Sequence, residues 1–255
     1  LDTGSSAEQK TLREHSSSPS DVVDQPDPPK KTRRGAGAKK RVKHLFDEPN
    51  VRRVLHVGCG FNSPERLHKV FGAPWREIRV DIDPRVKPHF VASMTDMSTC
   101  IPDASVDAVW SSHSVEHLHS FEVPAAFKEF ARVLSPRGFL LINCPDIEQI
   151  AEVILSADID QPVYTSPAGP ITPLDIMFGH QKSIRAGNDF MSHRTAFTQK
   201  LIATRLLNAG FAEVRVRRGA NFDLWCLAMM TQTNLEALLS LMQGAGLDFN
   251  EGPTE

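Results

Sequence analysis

The run Val54-Leu55-His56-Val57 ends on Gly58-Cys59-Gly60, and this junction constrains the fold more than any other feature of the chain. Glycines after a buried strand let the backbone turn tightly and let a ligand approach the main chain. Ser63 and Pro64 follow as an N-cap and first helical residue. Leu67, Val70 and Phe71 then recur at helical spacing. Apolar stretches over 78–81, 89–93, 106–110 and 139–143 read as further strands. Between the last two, Phe127, Phe130, Ala131 and Leu134 share a helix face that Pro136 and Gly138 close. Strands alternating with helices predict an α/β fold with a mostly parallel sheet. Late strands over 212–217 and 224–230, joined near Gly219, add an antiparallel edge hairpin. A helix over 198–208 precedes them and a short apolar helix over 234–242 follows, with a frayed tail expected after Gly244.

Charge divides the chain unevenly. Residues 1–44 hold ten Lys or Arg and six Asp or Glu, so the remainder holds 29 − 10 = 19 against 31 − 6 = 25. The first segment has no aromatic residue and cannot bury enough apolar surface to offset its ordering entropy. It is expected to be a disordered basic arm. A domain over 45–232 follows, with an irregular, Pro-rich stretch over 145–195 as a lid or insertion, then a C-terminal helix and tail over 233–255. No apolar run approaches the roughly 20 residues of a membrane helix, and residues 1–20 contain no signal-like apolar core. Cys59, Cys100, Cys144 and Cys226 form no CxxC pair, which suits free thiols in a reducing cytoplasm. A mildly acidic body without an aromatic-rich basic groove argues against a specific nucleic-acid partner. Oligomeric state is left open.

Asp81 stands 81 − 60 = 21 residues beyond Gly60, at the end of the second strand. A carboxylate there accepts hydrogen bonds from both ribose hydroxyls of an adenosine, as nicotinamide and S-adenosylmethionine sites both require. A dinucleotide loop needs a third small residue near position 63, where Ser63 is followed directly by Pro64. S-adenosylmethionine carries no phosphate and needs only GxG.

Five spaced segments resemble the class I S-adenosylmethionine-dependent methyltransferases, a Rossmann-like fold with a seven-stranded sheet and helices on both faces. VLHVGCG (54–60) is similar to the first motif and VDIDP (80–84) to the second. Met94-Thr95-Asp96-Met97 is similar to the segment facing the adenine amino group. VDAVWSSHSVEHL (106–118) and ARVLSPRGFLLI (131–142) are similar to the fourth and fifth strands with their flanks. The resemblance implies S-adenosyl-L-methionine as cofactor and contacts from His56, Gly58, Cys59, Gly60, Asp81, Ile82, Asp96, Met97, Ser112 and His113. His56 stands where the family usually has an acid. Residues 163–199 further resemble a bacterial branch, some members of which are linked to surface-polysaccharide synthesis.

His117, His180 and His193 are the candidate catalytic groups, and Tyr164, Asp175, Asn188 and Arg194 the candidate contacts to a small-molecule or carbohydrate acceptor. His113-Ser-Val-Glu116-His117 also matches the H-x-x-E-H pattern of zinc peptidases. That reading requires one helix carrying all three ligands, whereas the pattern starts where a buried strand ends, so no metal is expected. Two other functions fit the same loop: a nicotinamide-dependent oxidoreductase and a non-catalytic methyltransferase-like subunit.

Overall fold

The computed structural model describes residues 45–46, 48–63, 66–156 and 158–250. The basic arm over 1–44 and the first helical residue, Pro64, lie outside the described residues.

Seven strands form one sheet: β1 (Arg53–Val57), β2 (Arg76–Asp81), β3 (Phe90–Val91), β4 (Val106–Ser112), β5 (Leu134–Pro145), β8 (Glu213–Arg218) and β9 (Asp223–Met229), in the order β3-β2-β1-β4-β5-β9-β8. The first five are parallel, and β9 is antiparallel to both β5 and β8. The expected edge hairpin is therefore present. A separate two-stranded hairpin, β6 (Tyr164–Ser166) and β7 (Gly169–Ile171), stands outside the sheet.

Strand alternation sorts the core into two layers. Leu55, Val57, Ile78, Val80, Leu140 and Ile142 face α1 (Val123–Val133) and α5 (Gln199–Asn208). Val123, Ala126, Phe127, Phe130 and Val133 repeat at three- and four-residue spacing, so one stripe of α1 is fully buried. Val54, Trp110, Phe139, Leu141 and Leu227 face the other way, onto α6 (Leu235–Gly244) and the short 3-10 turn Lys69–Phe71. Thr198 and Asn234 cap α5 and α6 by accepting from the backbone N–H groups of Leu201 and Ala237.

Three expectations need correction. After the glycine loop the described residues hold 3-10 conformation at Arg66 and over Lys69–Phe71 where the Leu67, Val70, Phe71 spacing predicts a longer helix. The C-terminal α6 packs beside it on the same layer, so the apolar face of β1 is closed by a distant segment. The chain after Gly244 is not frayed up to residue 250: Leu247 and Phe249 are buried, and the Phe249 carbonyl accepts from Arg215. Nor is 145–195 irregular. It contains α2 (Ile147–Ile154), the β6–β7 hairpin, α3 (Pro173–Phe178) and α4 (Gln181–Arg185) around a small core of Ile150, Ile171 and Ile176. Pro145 ends β5 and Pro170 lies in the short hairpin strand β7, whereas Pro173 takes the first turn of α3, where it costs no helical hydrogen bond. Among the described residues no helix is long and apolar enough to cross a membrane.

Candidate functional site

All five parallel strands end on one rim, where an open α/β sheet binds its ligands. At β1 the loop turns on Gly58 (φ +65°) and Gly60 (φ +59°), both in the left-handed region. Gly58 packs so tightly on Ser114 that a Cβ would lie on the Ser114 hydroxyl and 2.6 Å from its Cβ. The Gly60 N–H donates to Asp81 Oδ2 (2.8 Å) and the Asp83 N–H to Asp81 Oδ1 (2.9 Å). One carboxylate thus joins the glycine loop to the end of β2. Each of its oxygens keeps a further lone pair for a ligand. Ile82 and Phe61 stand beside it with more than half their surface exposed, which gives the rim an apolar shelf.

Other expected contacts turn inward. His56 shares the face of Val54 on the α6 side and is 2% exposed, with Nδ1 2.6 Å from Glu77 Oε1. Its side chain is engaged with Glu77 and packs beside Trp110. Cys59 is buried, and its thiol is pushed up to about 11, first by burial. Met97 lies in the core and its N–H donates to Glu129. Asp96 stays exposed, held below the usual carboxylate range by its bonds to Ser98. Ser112 ends β4, half-buried at the rim.

The exit of β4 carries the densest polar group. His113 is a non-glycine residue at φ +46°, an uncommon conformation that gathers at functional sites. A 3-10 turn, Val115–His117, follows. Glu116 is 1% exposed and neither carboxylate oxygen has a hydrogen-bond partner. His113 Nδ1 lies 3.4 Å and His193 Nε2 3.9 Å from Glu116 Oε1, and the His117 and His193 rings are 5.0 Å apart. Burial works to raise the Glu116 pKa, but His113, His117 and His193 prevail and hold it at about 2. Burial keeps His193 below the ordinary histidine value.

This depression carries a sign. The folded-state value lies below the unfolded one, so the stabilisation is complete above about pH 4.3 and is lost as pH falls toward 2. Urea midpoints measured between pH 6 and 3 should therefore fall more steeply for the natural chain than for Glu116→Gln. Equal slopes would show that Glu116 is not held ionised.

The 145–195 segment returns to this cluster. The Arg194 and Thr195 N–H groups both donate to the Glu116 carbonyl. His193 Nδ1 donates to the Ile176 carbonyl, and His117 Nδ1 lies 3.0 Å from the Ser192 carbonyl. His117 and His193 are thus brought together with His113. His180 is not: its Nδ1 sits 2.7 Å from Ser183 Oγ at the start of α4. Asp175 is committed to the helix cap, exchanging bonds with Thr172 and accepting from the Gln181 N–H. Tyr164 joins the small core, stacked on Phe222. Asn188 precedes the turn Asp189–Met191 with a buried, unpartnered Oδ1, and the Arg194 side chain is exposed. Sequence reasoning missed Asn143 and Asp223, whose buried bond of 2.7 Å joins β5 to β9 at the rim. It placed Glu116 only in the zinc pattern and in the motif that follows the fourth strand, with no role of its own. The only signal for it was an acidic residue where a buried strand leaves the sheet.

The family described as "Methyltransferase domain" matches residues 55–142. A solved protein of Pyrococcus horikoshii OT3 is similar at 16% identity, TM-score 0.50, over 77% of this chain and 92% of that one. The citrinin polyketide synthase CMeT domain is similar at 13% identity, TM-score 0.45, over 77% of this chain; the chain spans 52% of that structure. A Burkholderia thailandensis 1,6-didemethyltoxoflavin-N1-methyltransferase, solved with S-adenosylhomocysteine, is similar at 15% identity and TM-score 0.44 over 77% of each chain. No curated protein matches the chain in sequence.

Proposed function

We propose that this chain is a class I S-adenosylmethionine-dependent methyltransferase that methylates a polar small molecule or a sugar hydroxyl held between the sheet rim and the 145–195 segment. One observation carries the acceptor reading: His113, Glu116 and His117 meet His193 from that segment at the mouth of β4.

The rim suits the cofactor. Asp81 keeps free lone pairs for two ribose hydroxyls, and Phe61 and Ile82 offer exposed apolar surface for the adenine. Gly58, Cys59 and Gly60 contribute backbone there, because the His56, Cys59 and Met97 side chains point into the protein. The cofactor supplies an electrophilic methyl on a sulfonium, so positioning of the acceptor in line with it can account for much of the rate. The half-exposed His113 ring and the polar cluster behind it face the acceptor. This replaces a role for Asp175 and His180, whose side chains are bonded within the lid.

Release of S-adenosylhomocysteine across a panel of hydroxyl and amine acceptors tests the reading. With the accepted compound, His193→Ala should lower kcat/KM tenfold or more and leave cofactor affinity within about twofold, the split that marks acceptor or transition-state contacts. His180→Ala should change neither by more than about twofold. Full turnover in His193→Ala, or loss of cofactor binding with it, would remove the segment from the acceptor side.

A further inference from the structure

We propose that Glu116, His117 and His193 form a binding site for a divalent transition-metal ion of the zinc class, a role beyond the acceptor reading and independent of it. Among the described residues these three each offer a ligand atom, and the atoms lie within 4.8 Å of one another. Zinc bonds of about 2.0–2.2 Å need tetrahedral ligand atoms roughly 3.4 Å apart, and His193 Nε2 already stands 3.9 Å from Glu116 Oε1.

Three independent features point to a cation. Glu116 is fully buried, and its carboxylate makes no well-formed hydrogen bond, only longer ion-pair contacts to His113 at 3.4 Å and His193 at 3.9 Å. Buried carboxylates are paired, hydrogen-bonded or bound to metal. His193 Nδ1 faces the Ile176 carbonyl, which can only accept, so that nitrogen carries a proton and Nε2 is the atom turned to Glu116. His117 is likewise anchored through Nδ1, against the Ser192 carbonyl. Its Nε2 lies 3.2 Å from the His113 carbonyl, a contact that ligation of the ion would replace. Imidazoles anchored through one nitrogen to a backbone carbonyl, with the other turned to a shared point, are the usual outer arrangement of metal-ligating histidines.

The donor set selects the metal. Two imidazoles and one carboxylate favour zinc, cobalt, nickel or iron over magnesium or calcium. Three protein ligands leave a coordination position open, as in catalytic sites. Glu116 and His117 sit on the turn after β4, whereas His193 comes from the far end of the 145–195 segment. A bound ion would therefore fasten that segment to the rim. This differs from the H-x-x-E-H reading, which needs one helix: the three-residue turn leaves the His113 side chain half exposed, and the second imidazole arrives from 193 − 117 = 76 residues later.

The full chain, stripped with a chelator, is titrated with Co(II) and followed by visible ligand-field absorption. One Co(II) per chain, displaced by Zn(II), is the expected result. His193→Ala should weaken Co(II) binding at least tenfold, and His180→Ala should leave it unchanged. His193→Cys keeps a ligand atom and should add a near-ultraviolet sulfur-to-cobalt band that the natural chain lacks, a signal only ligation at this position produces. Circular dichroism identifies any variant that fails to fold, in which case the natural chain and His193→Cys decide. Absence of stoichiometric Co(II) binding by the natural chain overturns the proposal. So does folded His193→Ala binding as the natural chain does, or folded His193→Cys without the new band. Because no acceptor is present, these outcomes are separate from those of the turnover assay.

Discussion

Asp81→Ala is expected to lower S-adenosylmethionine affinity at least tenfold while the domain stays folded. Hydrogen bonds to a charged group contribute roughly 1.5–3 kcal/mol each, and the ribose offers two. The carboxylate also holds the rim together, accepting from Gly60 on one oxygen and Asp83 on the other. Alanine therefore removes the ligand contacts and releases the glycine loop that shapes the pocket. Asp81→Asn separates these effects. Its amide keeps one acceptor oxygen but sets a donor against one of the two N–H groups, so its affinity should fall between those of the natural chain and the alanine variant. Calorimetric titration gives the affinities, and melting curves report the fold. Unchanged affinity in a folded Asp81→Ala protein would show that the adenosine lies elsewhere.

Gly58→Ala should be the most destabilising single-methyl change on the rim. The backbone at φ +65° costs an L-residue roughly 1–2 kcal/mol. The added carbon would also overlap the Ser114 hydroxyl and approach its Cβ to 2.6 Å, and overpacking of this kind typically costs about 1–3 kcal/mol. Together these are a large part of the roughly 5–15 kcal/mol that keeps a domain folded. Combining Gly58→Ala with Ser114→Gly removes both clashing atoms. The double variant should recover the steric part of the loss and retain the backbone part. The recovery should be incomplete for a second reason: Ser114 Oγ donates to the Ser112 carbonyl at 3.0 Å. Chemical denaturation of the single and double variants measures this directly. If the double variant is no more stable than Gly58→Ala, the Ser114 contact is not what selects glycine at position 58.

Much of the frame was legible because it is local. The short apolar runs in β1, β2 and β4, the helix stripe in α1, and glycines and Asp81 at strand ends each follow from a few neighbouring residues. Side-chain direction was less legible where two faces are both buried. His56 lies in a parallel strand covered on both sides, and only alternation in the assembled sheet sends it toward Glu77. Asp175 illustrates a different ambiguity. An acidic residue in a Pro-rich stretch can bind a ligand or cap a helix, and Thr172 three residues earlier decides for the cap.

By itself the sequence determined the order along the chain of the seven sheet strands, the loop at Gly58–Gly60 with Asp81 beyond it, and the class of cofactor these imply. Such features depend on spacing along the chain. Only the tertiary structure decided that α6 closes the layer beside the glycine loop and that Glu116 is buried with its carboxylate facing His113 and His193. It alone placed His193 beside His117 while leaving His180 outside. Those outcomes depend on how residues far apart in the chain are brought together by burying the two faces of one sheet, and no local pattern encodes which distant side chains will share the space left at its rim.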